Sequence, residues 1–212
     1  GDGWESADDW CAIIGAGIAG ENAARMALGM GANVTIVDIN INRLRQLDSQ
    51  YGPHLKTLMS NEYNVADVVA AADLVVGSVL IPGAATPKLV TRPMIAAMRN
   101  GSVLVDIAID QGGCFEGSRP TTHEDPVFDQ DGKQMYCVAN MPGAVPRTST
   151  VALTNATLPY LLRLADLGWR DALTRDPHLA RGLNVHAGSL THSEVAEALG
   201  RDYVSVDTIL VG

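Results

Sequence analysis

The stretch "AIIGAGIAGENAARMALGMGANVTIVDIN", residues 12–40, decides the fold. It opens on small apolar residues and breaks into Gly15-Ala16-Gly17-Ile18-Ala19-Gly20. It then takes on helical texture and reaches the acidic Asp38. A G-x-G-x-x-G run alone is weak evidence. Here a predicted strand precedes Gly15, a predicted helix follows Gly20, and Asp38 closes the next predicted strand 18 residues after the last glycine. In that setting Gly15 permits a tight turn, Gly17 lets the backbone approach a pyrophosphate, and Gly20 lets helix and strand lie close. The helix amino terminus offers free N–H groups and a positive dipole end to phosphates. Asp38 would accept hydrogen bonds from ribose hydroxyls and repel a 2′-phosphate, which favours NAD over NADP. Arg43 and Arg45 pull the other way, because a nearby arginine accommodates that phosphate.

Outward from this stretch, short apolar runs alternate with helical ones, the rhythm of β-α units and a mostly parallel sheet. Strands are expected at Trp10–Ile14, Asn33–Val37, Leu55–Leu58, Asp73–Val79, Ser102–Ile109 and Met135–Val138. "DLVVGSVL" and "SVLVDIAI" are apolar on both faces, as strands covered by helices on both sides must be. Helices are expected at Gly20–Met30, Glu62–Ala71 and Arg92–Met98. After Met141 the texture changes. "TSTVALTNATLPYLLRLADLGWRDAL", residues 148–173, reads as one long helix that Pro159 kinks or interrupts. In "THSEVAEALG", Thr191 and Glu194 have the spacing of a capping box, and Gly200 fits a helix stop. The expected fold is a Rossmann-type, doubly wound α/β sheet over residues 1–146, with the changeover near Pro142–Pro146 and a helical C-terminal segment over 147–212.

Composition narrows the function classes. Of 212 residues, 47% are apolar and 18% charged, which fits a compact globular chain. The net charge of −9 argues against nonspecific binding to nucleic acid or to an anionic membrane, since both need a basic face. No apolar run reaches the ~20 residues that span a bilayer. "GDGWESADDW" lacks the basic and apolar regions of a signal peptide, so a cytoplasmic location is expected. Cys11, Cys114 and Cys137 show neither metal-ligand spacing nor a disulfide framework and are expected to be reduced.

In an open α/β sheet, ligands bind outside the carboxyl ends of the strands. Ser60, the Ser78–Leu80 stretch of "VVGSVLIPG", Ile107–Asp110 of "VDIAIDQGG", and Asn140-Met141 of "VANMPG" all fall at such ends. Asp110, followed by Gln111-Gly112-Gly113, stands out for chemistry. It either caps the following turn or orients a substrate ammonium or water and helps move a proton. Asp106 lies four residues back, but no histidine is near in sequence, and no metal site is expected. His54, His123 and His178 read as solvated loop residues. His186 and His192 read as surface or helix-start residues, unless they reach a site built with another part of the protein. There is no G-x-S-x-G elbow, so nucleophilic hydrolysis finds no support.

Five stretches together carry a resemblance: "GAGIAGENAARMALGMGANVTIVDIN", "VLIPGAATPKLV", "GSVLVDIAIDQGGCFEGSRPTTHEDPVF", "YCVANMPGAVPRTSTVALTNATLPY" and "GLNVHAGSLTHSEVAEALG". From about Asp8 onward the chain closely resembles the C-terminal part of bacterial L-alanine dehydrogenases. More distantly it resembles the NAD-binding component of proton-pumping nicotinamide nucleotide transhydrogenase. The resemblance implies NAD-dependent oxidative deamination of L-alanine to pyruvate and ammonium, in a homo-oligomer when complete. It implies a cofactor site of Gly15, Ala16, Gly17, Ile18, Ala19, Gly20, Asp38, Ile39, Arg43, Ser60, Val79, Leu80, Ile107, Asp110, Asn140 and Met141, with Asp110 also facing nicotinamide and substrate.

The same resemblance implies that the family's substrate-binding lysine and arginine, and its acid/base histidine, belong to an N-terminal segment that these 212 residues do not contain. On that expectation the chain supplies NAD binding and Asp110 and is inactive alone. Its helices after Thr148 would then expose an apolar strip at Leu158, Leu161, Leu162 and Leu164. Two other readings stand beside this one: a standalone NAD(H)-binding module without catalysis, and a transhydrogenase component that docks on a membrane partner. "HAGSLTHSEVAEALG" argues against the latter.

Overall fold

The computed structural model describes residues 9–79 and 86–211. They fall into two compact units, residues 9–79 with 86–141, and residues 142–211. The division thus comes a few residues before the boundary expected at 146.

The first unit alternates strand and helix: β1 (Trp10–Ile14), α1 (Ile18–Gly29), β2 (Asn33–Asp38), α2 (Ile41–Tyr51), β3 (Leu55–Met59), α3 (Glu62–Ala71), β4 (Leu74–Gly77), α4 (Arg92–Ala97), β5 (Val103–Asp106), β6 (Val127–Gln130) and β7 (Lys133–Tyr136). The sheet order is β3-β2-β1-β4-β5-β7-β6. All neighbours are parallel except β6 and β7. This is the expected doubly wound α/β sheet, and the chain reverses direction across it between β1 and β4.

Alternation along β1 feeds two cores. Ala12 and Ile14 join Val65, Val69, Met94 and Ile95 on the face covered by α3 and α4. Cys11 and Ile13 join Ala24, Ala27, Leu44 and Leu47 beneath α1 and α2. The strands therefore read as unbroken apolar runs, as strands buried on both sides should.

Three features differ from expectation. First, α2 forms from a polar stretch, where only Leu44 and Leu47 are buried and Asn40 caps the start by accepting from the Asn42 and Arg43 amides. Second, β6 adds an antiparallel edge through the Asp131-Gly132 turn, whose residues both take positive φ. Third, the strand expected to run to Ile109 stops at Asp106. The chain there turns into a 3-10 helix over Ile107–Gln111.

The second unit comprises α5 (Pro146–Arg175), α6 (Pro177–Ala180), the short hairpin β8 (Val185–His186) with β9 (Ser189–Leu190), α7 (Ser193–Leu199) and α8 (Val206–Val211). It is therefore helical with one small hairpin. Pro159 does not interrupt α5; the break comes at Gly168, with φ 74° and ψ 159°, a conformation open essentially to glycine alone. The capping box does not form either. The Thr191 hydroxyl donates to the Leu183 carbonyl, and His192 takes the cap position without a side-chain bond. Gly200 ends α7 in the left-handed region, as expected.

Candidate functional site

The polar residues singled out above gather along one edge of the sheet, where β1, β2, β3, β4, β5 and β7 end. The turn after β1 sets its floor. Gly15 takes φ +105° and donates its N–H to the Val37 carbonyl at 2.8 Å. A Cβ on Gly20 would lie 1.9 Å from the Gly15 carbonyl oxygen, so α1 can approach β1 this closely only without a side chain there. Gly17, at the start of α1, is different: among the described residues, nothing stands within 4 Å of where its Cβ would be. Among the described residues no side chain caps α1, and Gly17, Ile18 and Ala19 are exposed. A phosphate can therefore reach this helix end.

Asp38 and Arg43 hold the turn from the β2 side. Asp38 Oδ2 accepts from the Ala16 N–H at 2.7 Å and Oδ1 from the Asn40 N–H at 2.7 Å. Arg43 Nε donates to the Ala16 carbonyl at 2.8 Å, Nη1 donates to Gln46 at 2.7 Å, and Nη2 pairs with Glu21. The Ser60 N–H donates to the Asp38 carbonyl at 2.9 Å, which brings the end of β3 into the same row. Ile39, beside Asp38, leaves 74% of its surface open, and Ile18 leaves 83%.

Across the switch point, buried Ser78 follows β4. Its Oγ donates toward the Ile14 and Gly15 carbonyls at 3.1 and 2.8 Å, pinning the glycine turn from the other side. Val79 follows it, and the Cβ position of Gly15 touches its methyl group. Leu80 lies outside the described residues.

After β5, Asp106 and Asp110 part company. Asp106 is fully buried and accepts from the Cys114 and Phe115 amides and from Ser118 Oγ. It anchors the loop that presents Asp110. Lys88 secures that loop from outside, its Nζ donating to the Gly112 and Gly113 carbonyls. Asp110 itself is exposed, and among the described residues its Oδ1 receives a single long, 3.4 Å bond from the Asn140 N–H. Asn140 sits at φ +55°, with its carbonyl 3.2 Å from His123 Nε2, and Met141 follows in a 3-10 turn. Ile107, half-buried, opens the helical turn that carries Asp110.

The structure thus brings every described member of the predicted cofactor set to one edge. Sequence reasoning missed the supports: Glu21 beneath Arg43, Asp106 and Ser118 beneath the Asp110 loop, and Lys88. A buried carboxylate at a strand end followed by Gly113 was the available sign for Asp106. Nothing in local sequence pairs Glu21 with Arg43. Among the described residues, no group of three or more His, Cys, Asp or Glu side chains could hold a metal ion. No described helix is long and apolar enough to cross a membrane.

A family model described as alanine dehydrogenase/PNT, C-terminal domain, matches residues 8–193. The alanine dehydrogenase of Halomonas elongata is 58% identical over 198 residues, covering 93% of this chain and 53% of its own length. That of Mycobacterium tuberculosis is 56% identical with the same coverage. A solved L-alanine dehydrogenase superposes with a TM-score of 0.82 at 46% identity, covering 91% of this chain and 53% of that one. A transhydrogenase from Sinorhizobium meliloti gives a TM-score of 0.68 at 25% identity, covering 87% of this chain and 50% of that one. The chain spans about half the length of the relatives it matches.

Proposed function

The chain belongs to the alanine dehydrogenase/PNT family, and from that premise we propose that it forms the NAD-binding part of an alanine dehydrogenase. The complete enzyme would convert L-alanine to pyruvate and ammonium, with NAD as the hydride acceptor. The observation that carries this reading is the turn Gly15–Gly20 with Asp38 bonded into it, at the switch point of a parallel sheet. Identities of 56–58% with alanine dehydrogenases, against 25% with the transhydrogenase, favour the amino-acid reaction.

NAD, when bound, supplies the site that takes the hydride. The chain's own residues do the rest. The open backbone at Gly17 and the uncapped start of α1 bind the pyrophosphate. Asp38 keeps lone pairs for the ribose hydroxyls, and Ile39 gives the adenine an apolar surface. Ser60, Val79, Ile107, Asn140 and Met141 complete the walls. Asp110 is held at the nicotinamide end by a loop whose own anchor, Asp106, is buried, so its carboxylate is free to orient the substrate ammonium or receive a proton.

The second unit we assign to a substrate domain completed by a segment beyond these 212 residues, in a cytoplasmic homo-oligomer. A hydride acceptor and one carboxylate cannot alone fix an amino acid's carboxylate and take its protons. The test joins two readings on the folded chain: NADH binding, and growth of reduced-nicotinamide absorbance with NAD and L-alanine. NADH binding without that growth is the expected result. An alanine-dependent rise would show that the chain carries its own substrate chemistry, and failure to bind NADH would overturn the cofactor site.

A further inference from the structure

Arg43 is the guanidinium nearest in sequence to the ribose-reading Asp38, and arginine is the side chain best suited to grip a phosphate in two places. Yet all three of its nitrogens are engaged. Nε holds the Ala16 carbonyl, Nη1 holds Gln46, and Nη2 is paired with Glu21 in the first turn of α1. Glu21 is itself fixed, since its Oε1 accepts from Tyr51 Oη at 3.0 Å and from Gln50 Nε2 at 3.1 Å, both near the end of α2. The pair is mostly shielded, with side-chain exposures of 22% for Arg43 and 21% for Glu21. The Arg43 bond, foremost, and then the Tyr51 bond hold the Glu21 carboxyl below its ordinary range.

We propose that Glu21 is a positioning residue for cofactor selection: by occupying Arg43 it withholds from the 2′-phosphate of NADP the cation that would otherwise receive it. This rests on the NAD-binding reading above and adds to it a second layer of discrimination. Asp38 repels the phosphate directly. Glu21 denies it a partner and leaves the trio of Asp38, Arg43 and Glu21 with one net negative charge at neutral pH. Glutamine at position 21 keeps the shape, can still accept from Arg43 through its one oxygen while its amide nitrogen donates to Tyr51 Oη, and brings that net charge to zero. The guanidinium is then a neutral amide's neighbour, and a doubly charged phosphate competes for it successfully.

The test is calorimetric titration of the 212-residue chain with NADH and with NADPH, for the unaltered protein, Glu21→Gln and Glu21→Gln/Arg43→Gln. Asp48→Asn, which removes one exposed charge from α2, serves as the control. In Glu21→Gln the ratio of NADPH to NADH affinity should rise about tenfold, the size of one charge-assisted hydrogen bond. Adding Arg43→Gln should cancel the gain. Tyr51→Phe, which keeps both charges and frees one bond on Glu21, should give a smaller shift of the same sign, so the idea remains testable if Glu21→Gln folds poorly. General loosening of the turn weakens both cofactors together and leaves the ratio where it was, and an unmoved ratio in the folded variants overturns the proposal. So does an equal shift in Asp48→Asn, or a gain that survives Arg43→Gln. Absence of NADH binding by the unaltered chain would instead overturn the cofactor site itself.

Discussion

Asp38 and Arg43 grip opposite ends of one residue: the carboxylate takes the Ala16 N–H at 2.7 Å, and the guanidinium gives to the Ala16 carbonyl at 2.8 Å. The residue proposed to read the ribose therefore also sets the position of the turn that meets the phosphates. Ser78 closes the third side by bonding the Ile14 and Gly15 carbonyls. The backbone at the start of α1 is held from both β2 and β4, and it is preorganised before any cofactor arrives.

Asp38→Ala should act twice. It removes the acceptor for the ribose and frees the Ala16 and Asn40 amides. Hydrogen bonds to charged groups contribute about 1.5–3 kcal/mol each, so NADH affinity should fall roughly 10- to 100-fold. A titration that finds less than a threefold loss would place the ribose elsewhere.

The turn's glycines should separate stability from binding. Gly20→Ala drives a methyl into the Gly15 carbonyl and toward Ser78 Oγ, both parts of the buried turn, and should cost about 1–3 kcal/mol of stability. Gly17→Ala meets nothing among the described residues and has an ordinary φ of −68°, so its melting temperature should stay close to that of the parent. Its methyl would stand where the pyrophosphate approaches, and NADH binding should suffer. A Gly17→Ala protein that binds NADH normally would move the phosphates away from this helix end.

The parallel sheet, and the gathering of the candidate site residues at its carboxyl edge, were legible because their signals are local. Both-face apolar runs, the spaced glycines and Asp38 each lie within one β-α unit. The rest depended on contacts that sequence order conceals. Nothing near Glu21 points to Arg43, 22 residues on, and α2 is polar enough to pass for a loop because only Leu44 and Leu47 turn inward. Pro159 was the expected break in α5, since proline costs a helix an amide. The break came instead at Gly168, which alone in that stretch can take φ 74° with ψ 159°. The stop at Asp106 rather than Ile109 follows from its carboxylate folding back on the Cys114 and Phe115 amides.

Two carboxylates four residues apart should behave oppositely. Asp106→Asn turns an amide donor toward the Cys114 and Phe115 amides or Ser118 in a fully buried site, at a cost of at least about 2 kcal/mol in urea unfolding. Asp110→Asn, exposed, should stay within about 0.5 kcal/mol of the parent. In the complete enzyme Asp110→Asn should nonetheless remove most turnover. Full activity in that variant would leave Asp110 a turn residue only.

The buried thiols should make the fold alkali-sensitive. Burial pushes Cys11 from an ordinary 9.0 up to about 12, and burial foremost, then Asp106, pushes Cys114 up as well. A raised folded-state value means that the folded protein keeps a proton the unfolded chain releases. The stabilisation is fully present below pH 9 and drains as pH climbs toward about 12. Each such thiol contributes a slope of about 1.4 kcal/mol per pH unit in that window. Urea midpoints should fall between pH 9 and 10.5, and less steeply in Cys11→Ala. Identical slopes in the two proteins would remove Cys11 from the account.

The last prediction concerns α5. Val151, Leu158, Leu161 and Leu162 are all exposed, at spacings of seven, three and four residues that put them along one side of the helix; Leu164 is half-buried. Water gains nothing from such a stripe, and an apolar surface of this kind lowers its free energy by pairing with another. The isolated chain should therefore self-associate, its light-scattering mass rising with concentration. Leu158→Glu with Leu162→Lys puts a charge at either end of the four-residue step and should return the chain to a monomer while leaving NADH binding, proposed for the other unit, unchanged. A parent chain that scatters as a monomer at every concentration would mean that the stripe is tolerated in water and drives no assembly.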